Sequence, residues 1–270
     1  MPNHKSDTEE AAVIVAHRGM SATFPENTHT AIAAAITSGA TAVEFDIQIT
    51  ADNEIVLGHN PTLDYYGFPD VAVATSTLQE LQSYDIGRIH GKKFVGEQVA
   101  SFQKILQEFG DQVTMMVEFK TKYMSDRQID TLITRFLQLT SGQHDKLRLQ
   151  ALCFKPHVLE RLHATANWLP LVWNTNYPHR LHSSDLTRQP WLSGVGCRIG
   201  RTDRNSAALI QQSGMNLYSF TCNTTDEVLK ARDLGAAAII SDNHIQARDL
   251  LAAADIEECA SLPQSSSLSR

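Results

Sequence analysis

Two acidic side chains lie two residues apart in the otherwise apolar stretch "AVEFDIQI". Because side chains of a β-strand alternate between its two faces, Glu44 and Asp46 are expected to point the same way. A second apolar stretch, "QVTMMVEFK", carries Glu118 and Lys120 with the same spacing. Carboxylates that share a cavity repel one another and lose hydration unless a cation joins them. Because oxygen-only ligands favour a hard ion, Glu44, Asp46 and Glu118 are the predicted ligands of one divalent metal ion, Mg²⁺ or Ca²⁺.

Two histidines, His17 and His59, each end an apolar run. An imidazole titrates near neutral pH, so the pair suits general acid–base catalysis. Zinc binding by both is the alternative, and the neighbouring hard oxygen ligands disfavour it. Structural ion pairs of the carboxylates with Arg18 or Lys120 are a further alternative, which the number of such groups at strand ends disfavours. The other histidines are interpreted as structural or surface groups: His4, His29, His90, His144, His157, His163, His179, His182 and His244.

The elements that position these residues follow a βα rhythm. Short apolar runs alternate with longer helix-period segments, which is typical of a parallel sheet with crossover helices. Eight such repeats predict an α/β fold, the (β/α)8 or TIM barrel, in which catalytic groups lie at the carboxyl ends of the strands. An open doubly wound sheet is the rival, but no G-x-G-x-x-G follows any strand.

The repeats predict one catalytic domain over residues 1–256. Residues 61–112 are too long for a βα loop and predict a small rim insertion after the second strand region. Its aromatic residues could line a substrate groove or form the insertion's own core: Tyr65, Tyr66 and Phe68. The Ser-rich segment 257–270 is expected to be a disordered tail.

Composition narrows the partners. The 270 residues carry a formal net charge of −7 without basic blocks, which argues against nucleic acid and anionic membranes as main partners. The four cysteines form no metal-binding pattern and are expected to be reduced thiols. No signal-peptide pattern and no apolar run of about 20 residues is found, so a cytoplasmic protein is expected. Nothing in the sequence indicates an oligomer.

An ordered set of motifs resembles the glycerophosphodiester phosphodiesterase family. The set comprises "HRG", "PENT", "VEFDIQITADNEIVLGHN" and "VEFK", followed by "TCNTTDEVLKARDLGAAAIISDN". Each motif is weak alone, but together they span nearly all of residues 12–245. The resemblance implies a barrel with a rim insertion that hydrolyses glycerophosphodiesters to glycerol 3-phosphate and an alcohol. It places the family's metal ligands on Glu44, Asp46 and Glu118.

The same resemblance implies roles for the remaining matched residues. The family's catalytic histidines fall on His17 and His59, and its phosphate-binding cations on Arg18 and Lys120. Asn27 of "PENT" is a further predicted polar contact of the substrate. Phe220, which stands where the family commonly has Trp, is a predicted substrate contact as well.

Three positions depart from the family pattern. Asn60 follows His59 where Asp is usual, "DYYG" (64–67) replaces an Arg-Thr-Thr-like segment, and Phe220 replaces Trp. These changes leave the alcohol open, so a lysophospholipase D or a sugar-phosphodiester hydrolase is an alternative on the same site. A non-catalytic phosphodiester-binding barrel is disfavoured, because a pure binder needs no paired proton-transfer groups. The choice between Mg²⁺ and Ca²⁺, and the acid and base roles of the histidines, stay open at this point.

Overall fold

The computed structural model describes residues 11–143 and 145–261. Their strands, in chain order, are β1 Val13–His17, β2 Ala42–Ile49, β3 Ile55–Leu57, β4 Thr62–Leu63, β5 Phe68–Ala72, β6 Thr114–Phe119, β7 Leu149–Cys153, β8 Leu171–Thr175, β9 Gly194–Arg198, β10 Asn216–Phe220 and β11 Ala238–Ser241. Their α-helices are α1 His29–Thr37, α2 Leu78–Leu81, α3 Phe102–Phe109, α4 Asp126–Thr140, α5 Pro156–Thr165, α6 Ser183–Thr187, α7 Arg204–Gln212, α8 Thr225–Asp233 and α9 His244–Ser261.

Eight parallel strands close into a barrel. Their order is β1, β11, β10, β9, β8, β7, β6 and β2, and β2 pairs with β1 to complete the ring. Helices lie between consecutive strands, so the predicted (β/α)8 fold is confirmed. All carboxyl ends of the strands therefore meet at one mouth, which is where barrel enzymes place their chemistry.

Local signals in the sequence begin several of the helices. The side chain of Thr28 accepts a hydrogen bond from Ala31 N–H and caps α1. Ser125 begins α4 in a reciprocal capping box with Gln128. Such caps satisfy backbone N–H groups that a helix leaves unpaired at its start.

Apolar side chains fill two regions of the barrel. The larger lies between the strands and the surrounding helices and includes Phe45, Phe102 and Phe136. The smaller one includes Met116 on β6 and Tyr218 on β10. Because strand side chains alternate, a barrel strand supplies both regions, and the polar site residues take the place of apolar ones near the mouth.

The rim insertion has its own fold and its own core. β3 returns antiparallel to β2, and β4 pairs with β5 in a small hairpin. Tyr66 is buried in the insertion's core and Phe68 packs against it, whereas Tyr65 is 42 % exposed. The core interpretation therefore holds for Tyr66 and Phe68.

The insertion is shorter than the predicted 61–112. The last part of that range forms α3, whose Phe102 and Ile105 are fully buried in the barrel's own core. This amphipathic helix precedes β6 as an ordinary crossover helix does. The insertion proper thus ends before Phe102.

The carboxyl-terminal helix α9 runs to Ser261 and so continues into the predicted tail. The Glu, Cys and Ala residues that follow Ile256 do not interrupt a helix. The rest of the predicted tail, 262–270, lies outside the described residues. Within the described ranges, no helix is both long enough and apolar enough to cross a membrane.

Candidate active site

Three carboxylates meet at the mouth of the barrel. Glu44 and Asp46 lie on β2 and Glu118 on β6, where Asp46 is the register partner of Glu118. One oxygen of each lies within 4.8 Å of the others, and all three residues are buried. The strand alternation that suggested a shared face is thus realised, and oxygen atoms from two strands surround one point.

The three carboxyl groups differ in the direction in which their pKa values are shifted. Burial, followed by the charge of Asp46, raises the pKa of Glu44 to about 8. Burial also raises the pKa of Glu118. Burial opposes ionisation of Asp46 too, but Lys120 and Arg18 outweigh it and hold the pKa of Asp46 below its usual range. The two cations thus stabilise the charge of Asp46, but not that of all three carboxyl groups. This imbalance fits a further cation among their oxygen atoms.

Two cations lie against the carboxylates. Lys120 Nζ is 2.6 Å from Glu118 Oε1 and 3.1 Å from Asp46 Oδ1. Arg18 Nε is 3.2 Å from Asp46 Oδ2, and Arg18 Nη1 donates to both oxygens of Glu26 at 2.8 and 2.9 Å. Burial works against both charges, yet the adjacent carboxylates raise the pKa of each cation. Both remain charged and lie where an anionic substrate could meet them.

Asn27 is held against Asp46 by a reciprocal pair of hydrogen bonds. Its amide donates to Asp46 Oδ2 at 2.8 Å, and its Oδ1 accepts from Asp46 N–H at 3.0 Å. Asn27 is fully buried, with 1 % of its surface exposed. This contact orients a carboxylate, and the role of Asn27 in binding substrate stays a prediction.

The turn after β1 brings Arg18 to the cluster. Arg18 has a φ of 54° and Gly19 a φ of 82°, both in the left-handed region. A Cβ on Gly19 would lie 2.5 Å from the carbonyl carbon of Ala31, so only glycine fits against α1 here. In this conformation Arg18 N–H donates to Glu44 Oε2 at 3.2 Å.

His17 lies between two carboxylates. Its Nδ1 is 2.5 Å from Asp242 Oδ1, and its Nε2 is 3.8 Å from Glu44 Oε2. Burial tends to lower the pKa of His17, but the hydrogen bond to Asp242 and the charge of Glu44 raise it. Asp242 is fixed in turn by Ser21 and Asn223.

His59 has an amide partner instead. Its Nδ1 is 2.7 Å from Asn60 Oδ1, and Asn60 Nδ2 donates to Asp64 Oδ1 at 2.8 Å. Burial lowers the pKa of His59, with Asp46 opposing that shift and Lys120 and Arg18 adding to it. Two of the departures from the family pattern, Asn60 and the segment that starts at Asp64, are therefore in direct contact.

Phe220 ends β10 near the same mouth. Its ring meets Phe154 edge to face at 5.9 Å, and Lys120 Nζ lies 5.9 Å from the Phe154 ring. The structure thus places Phe220 one side chain away from Lys120. It contributes an apolar wall beside the charged groups.

Three neighbours of the site are not among the predicted site residues. Asn174 on β8 is buried and donates to Glu118 Oε2 at 3.3 Å. Gly196 on β9 leaves room for it, because a Cβ there would lie 2.1 Å from Asn174 Oδ1. Asp242 follows β11, more than two hundred residues after the histidine it contacts. Asp242 lies within the last quoted motif, whereas for Asn174 and Gly196 only the inward direction of the strand ends could have suggested a place at the site.

Fold and site together define a barrel hydrolase for an anionic substrate, with carboxylates, cations and two histidines at the catalytic mouth. Residues 17–245 match the Glycerophosphoryl diester phosphodiesterase family. The chain belongs to this family, whose members are phosphoric diester hydrolases. The predicted family resemblance is therefore confirmed.

Individual relatives align with this chain over most of their own length. A Bacillus subtilis glycerophosphodiester phosphodiesterase is 22 % identical over 243 residues, which cover 84 % of this chain and 82 % of the relative. YhdW of the same organism is 25 % identical over 231 residues, or 85 % of this chain and 93 % of that protein. A phosphodiesterase of Oleispira antarctica, solved with its product sn-glycerol-3-phosphate, has the same fold, with a TM-score of 0.79 at 21 % identity. That match covers 88 % of this chain and 96 % of the Oleispira chain.

Proposed function

We propose that this chain hydrolyses glycerophosphodiesters to glycerol 3-phosphate and an alcohol, with one divalent ion held by Glu44, Asp46 and Glu118. The observation that carries the proposal is the buried triad of carboxylates with a histidine on its border. The oxygen-only donor set fits Mg²⁺ or Ca²⁺ and not zinc. Such an ion, when bound, polarises a phosphoryl oxygen as a Lewis acid.

The cations of the chain supply the second part of the proposal. A phosphodiester resists attack because its negative charge repels nucleophiles. Arg18 and Lys120, both kept charged by neighbouring carboxylates, bind phosphoryl oxygens and offset the charge that develops on them. Phe220 packs edge to face on Phe154, whose ring lies 5.9 Å from Lys120 Nζ, and is expected to contact the substrate beside these cations.

The histidines supply the proton transfers. One removes a proton from the attacking oxygen, and the other protonates the departing alcohol, each contribution being worth about 10²–10⁴-fold in rate. Their contacts support a division of labour, since His17 is paired with the carboxylate of Asp242 and His59 with the neutral amide of Asn60. Different environments for two titratable groups separate their pKa values, as an acid–base pair requires.

The test is hydrolysis of glycerophosphocholine with added Mg²⁺ or Ca²⁺. We expect EDTA to abolish the activity and a divalent ion to restore it, and Glu44→Gln to lose it. His17→Ala and His59→Ala are expected to lower kcat by about 10²–10⁴-fold each. His157→Ala, on the exposed face of α5, serves as the matched control and keeps the wild-type rate.

Wild-type rates in both His17→Ala and His59→Ala would contradict the assignment. Activity that survives chelation would remove the metal from the proposal. A circular dichroism melting curve for each variant separates loss of chemistry from loss of fold.

A further inference from the structure

Three arginines surround one exposed tyrosine at the barrel mouth. Arg180 follows β8, Arg198 ends β9 and Arg201 follows it, and Tyr177 lies among them. We call Arg180, Arg198 and Arg201 the arginine cluster. The strands that carry it, β8 and β9, lie across the ring from β1 and β2, which carry His17, Glu44 and Asp46.

The Tyr177 ring organises the cluster. The guanidinium carbons of Arg180 and Arg201 each lie 4.7 Å from the centre of the ring. Arg201 Nη1 also donates to the carbonyl of Asn176 at 3.3 Å. A hydrogen bond and the charge of Arg201 lower the pKa of the Tyr177 phenol. A guanidinium group that lies over an aromatic ring keeps N–H groups that can bind an anion.

Arg198 is the member of the cluster that lies on the strand face turned toward the site. A Cβ on Gly196 would point at Asn174 Oδ1, 2.1 Å away, so Gly196 faces the side chain that binds Glu118. Arg198 lies two residues further along β9 and shares that face. Its register partner on β10 is Phe220. Arg198 is exposed, so its charge lies at the open mouth above Asn174 and Phe220.

The cluster is positively charged on a protein with a formal net charge of −7. In the described part of the chain, none of its three guanidinium groups lies within 4 Å of a carboxylate oxygen. Asp203 accepts Ser206 N–H at the start of α7, and Glu227 accepts two N–H groups at the start of α8. Arg198 is one of the groups that lower the pKa of Glu227, but the two side chains form no ion pair. An anion can therefore meet the cluster without displacing an ion-paired carboxylate.

We propose that the arginine cluster binds a second phosphate group, carried by the alcohol half of the substrate. The inference rests on the proposed function, because the reacting phosphodiester is placed at Arg18 and Lys120. The glycerol half is uncharged beyond that shared phosphate, so a second anion must belong to the alcohol. The substrate class is thus a glycerophosphodiester whose alcohol is itself phosphorylated. Guanidinium groups suit a phosphate because they donate two parallel hydrogen bonds to it.

The test compares two substrates that differ by one phosphate: glycerophosphoinositol, and glycerophosphoinositol with a further phosphate on its inositol ring. We expect the wild type to have the higher kcat/KM on the phosphorylated substrate. Arg198→Gln and Arg201→Gln are each expected to reduce the ratio of the two kcat/KM values by roughly tenfold, with the change mainly in KM. Arg161→Gln, on the outer helix α5, removes the same charge far from the mouth and keeps the ratio.

Two outcomes would overturn the inference: no wild-type preference for the phosphorylated substrate, or an unchanged ratio of the two kcat/KM values in both cluster variants. An unchanged ratio that comes from equal losses on both substrates would mean that the cluster attracts the reacting diester in general. If the wild type hydrolyses neither of these substrates nor glycerophosphocholine, the proposed function fails as well. If it hydrolyses glycerophosphocholine and glycerophosphoinositol but not the substrate with a phosphorylated inositol ring, only the inference about the cluster fails.

Discussion

Asp242 is the side chain that holds His17 in place. It contacts His17 Nδ1 at 2.5 Å and is itself held by Ser21 and Asn223. A carboxylate in this position fixes both the orientation and the tautomer of an imidazole. His17 therefore presents Nε2, and not Nδ1, to the site.

Replacing this carboxylate by an amide is expected to slow the chemistry without unfolding the protein. In Asp242→Asn the neutral amide holds the imidazole less firmly, and we expect kcat on glycerophosphocholine to fall by about 10²-fold with a smaller change in KM. Steady-state kinetics measure both. Asp249→Asn, which removes an exposed carboxylate on α9, is the control and keeps the wild-type kcat. An unchanged kcat in Asp242→Asn would show that His17 does not depend on Asp242.

Single site residues differ in how well the local sequence pattern predicts them. Glu44 and Asp46 were predictable because a strand repeats every second residue, and both lie where the alternation puts them. Asp242 was not, because a single acidic residue in a loop has no periodicity, and its partner lies at the other end of the chain. Asn174 lies on a strand, β8, but its pairing could not be predicted either. Its contact with Glu118 depends on the ring of strands, not on its neighbours in sequence.

Among the elements, the turn between β1 and α1 requires glycine for two separate reasons. Gly19 has a φ of 82°, and a Cβ on it would meet the backbone of Ala31 at 2.5 Å. The turn and the helix are also joined by Met20 N–H, which donates to Ala31 O at 2.9 Å. The glycine of the "HRG" motif is therefore required for packing as well as for the turn.

Gly19→Ala is expected to lower the free energy of unfolding by about 2–4 kcal/mol, because positive φ and overpacking add together. Gly214→Ala is the matched control. Gly214 has a φ of 76°, but no atom lies within 4 Å of the place that its added methyl group would take, so a loss of about 1 kcal/mol is expected. Urea unfolding of both variants measures the difference. Equal losses would mean that the helix α1 yields freely to the added methyl group.

Element boundaries were harder to predict than element types. Residues 61–112 show no βα rhythm, so the sequence suggested one long insertion. The structure assigns α3 to the barrel, since Phe102 and Ile105 pack beneath the strands. Which of two cores an amphipathic helix joins depends on tertiary contacts, and the pattern of its own residues is the same in either case.

For the molecule as a whole, the buried carboxyl groups of Glu44 and Glu118 are expected to cost stability when no metal ion is bound. Burial and mutual repulsion raise the pKa values of Glu44 and Glu118, which means that their charged forms are disfavoured in the fold. An ion that binds the folded state alone stabilises it by mass action. Stability and metal binding are therefore expected to be linked.

We expect a divalent ion at about 100 times its Kd to stabilise the wild type by about 2.7 kcal/mol, and to raise Tm by about 5–10 °C. Glu44→Gln lacks one ligand and is expected to lose most of this shift. Glu160→Gln, on the exposed surface of α5, is the control and keeps it. Differential scanning calorimetry with EDTA and with each metal makes the comparison. A full shift in Glu44→Gln would place the ion elsewhere.

The rim insertion leaves the barrel and returns to it at nearly the same point. Leu57 N–H donates to Ala100 O at 2.9 Å, and Val56 forms a bridge with Ser101. These contacts between the two ends of the insertion offset the entropy that is lost when the intervening chain is closed into a loop. Because that entropy grows only with the logarithm of length, doubling the segment costs about 0.6 kcal/mol. The length of the segment that follows His59 can thus vary at little cost in closure entropy, while the barrel and its carboxylates stay as they are.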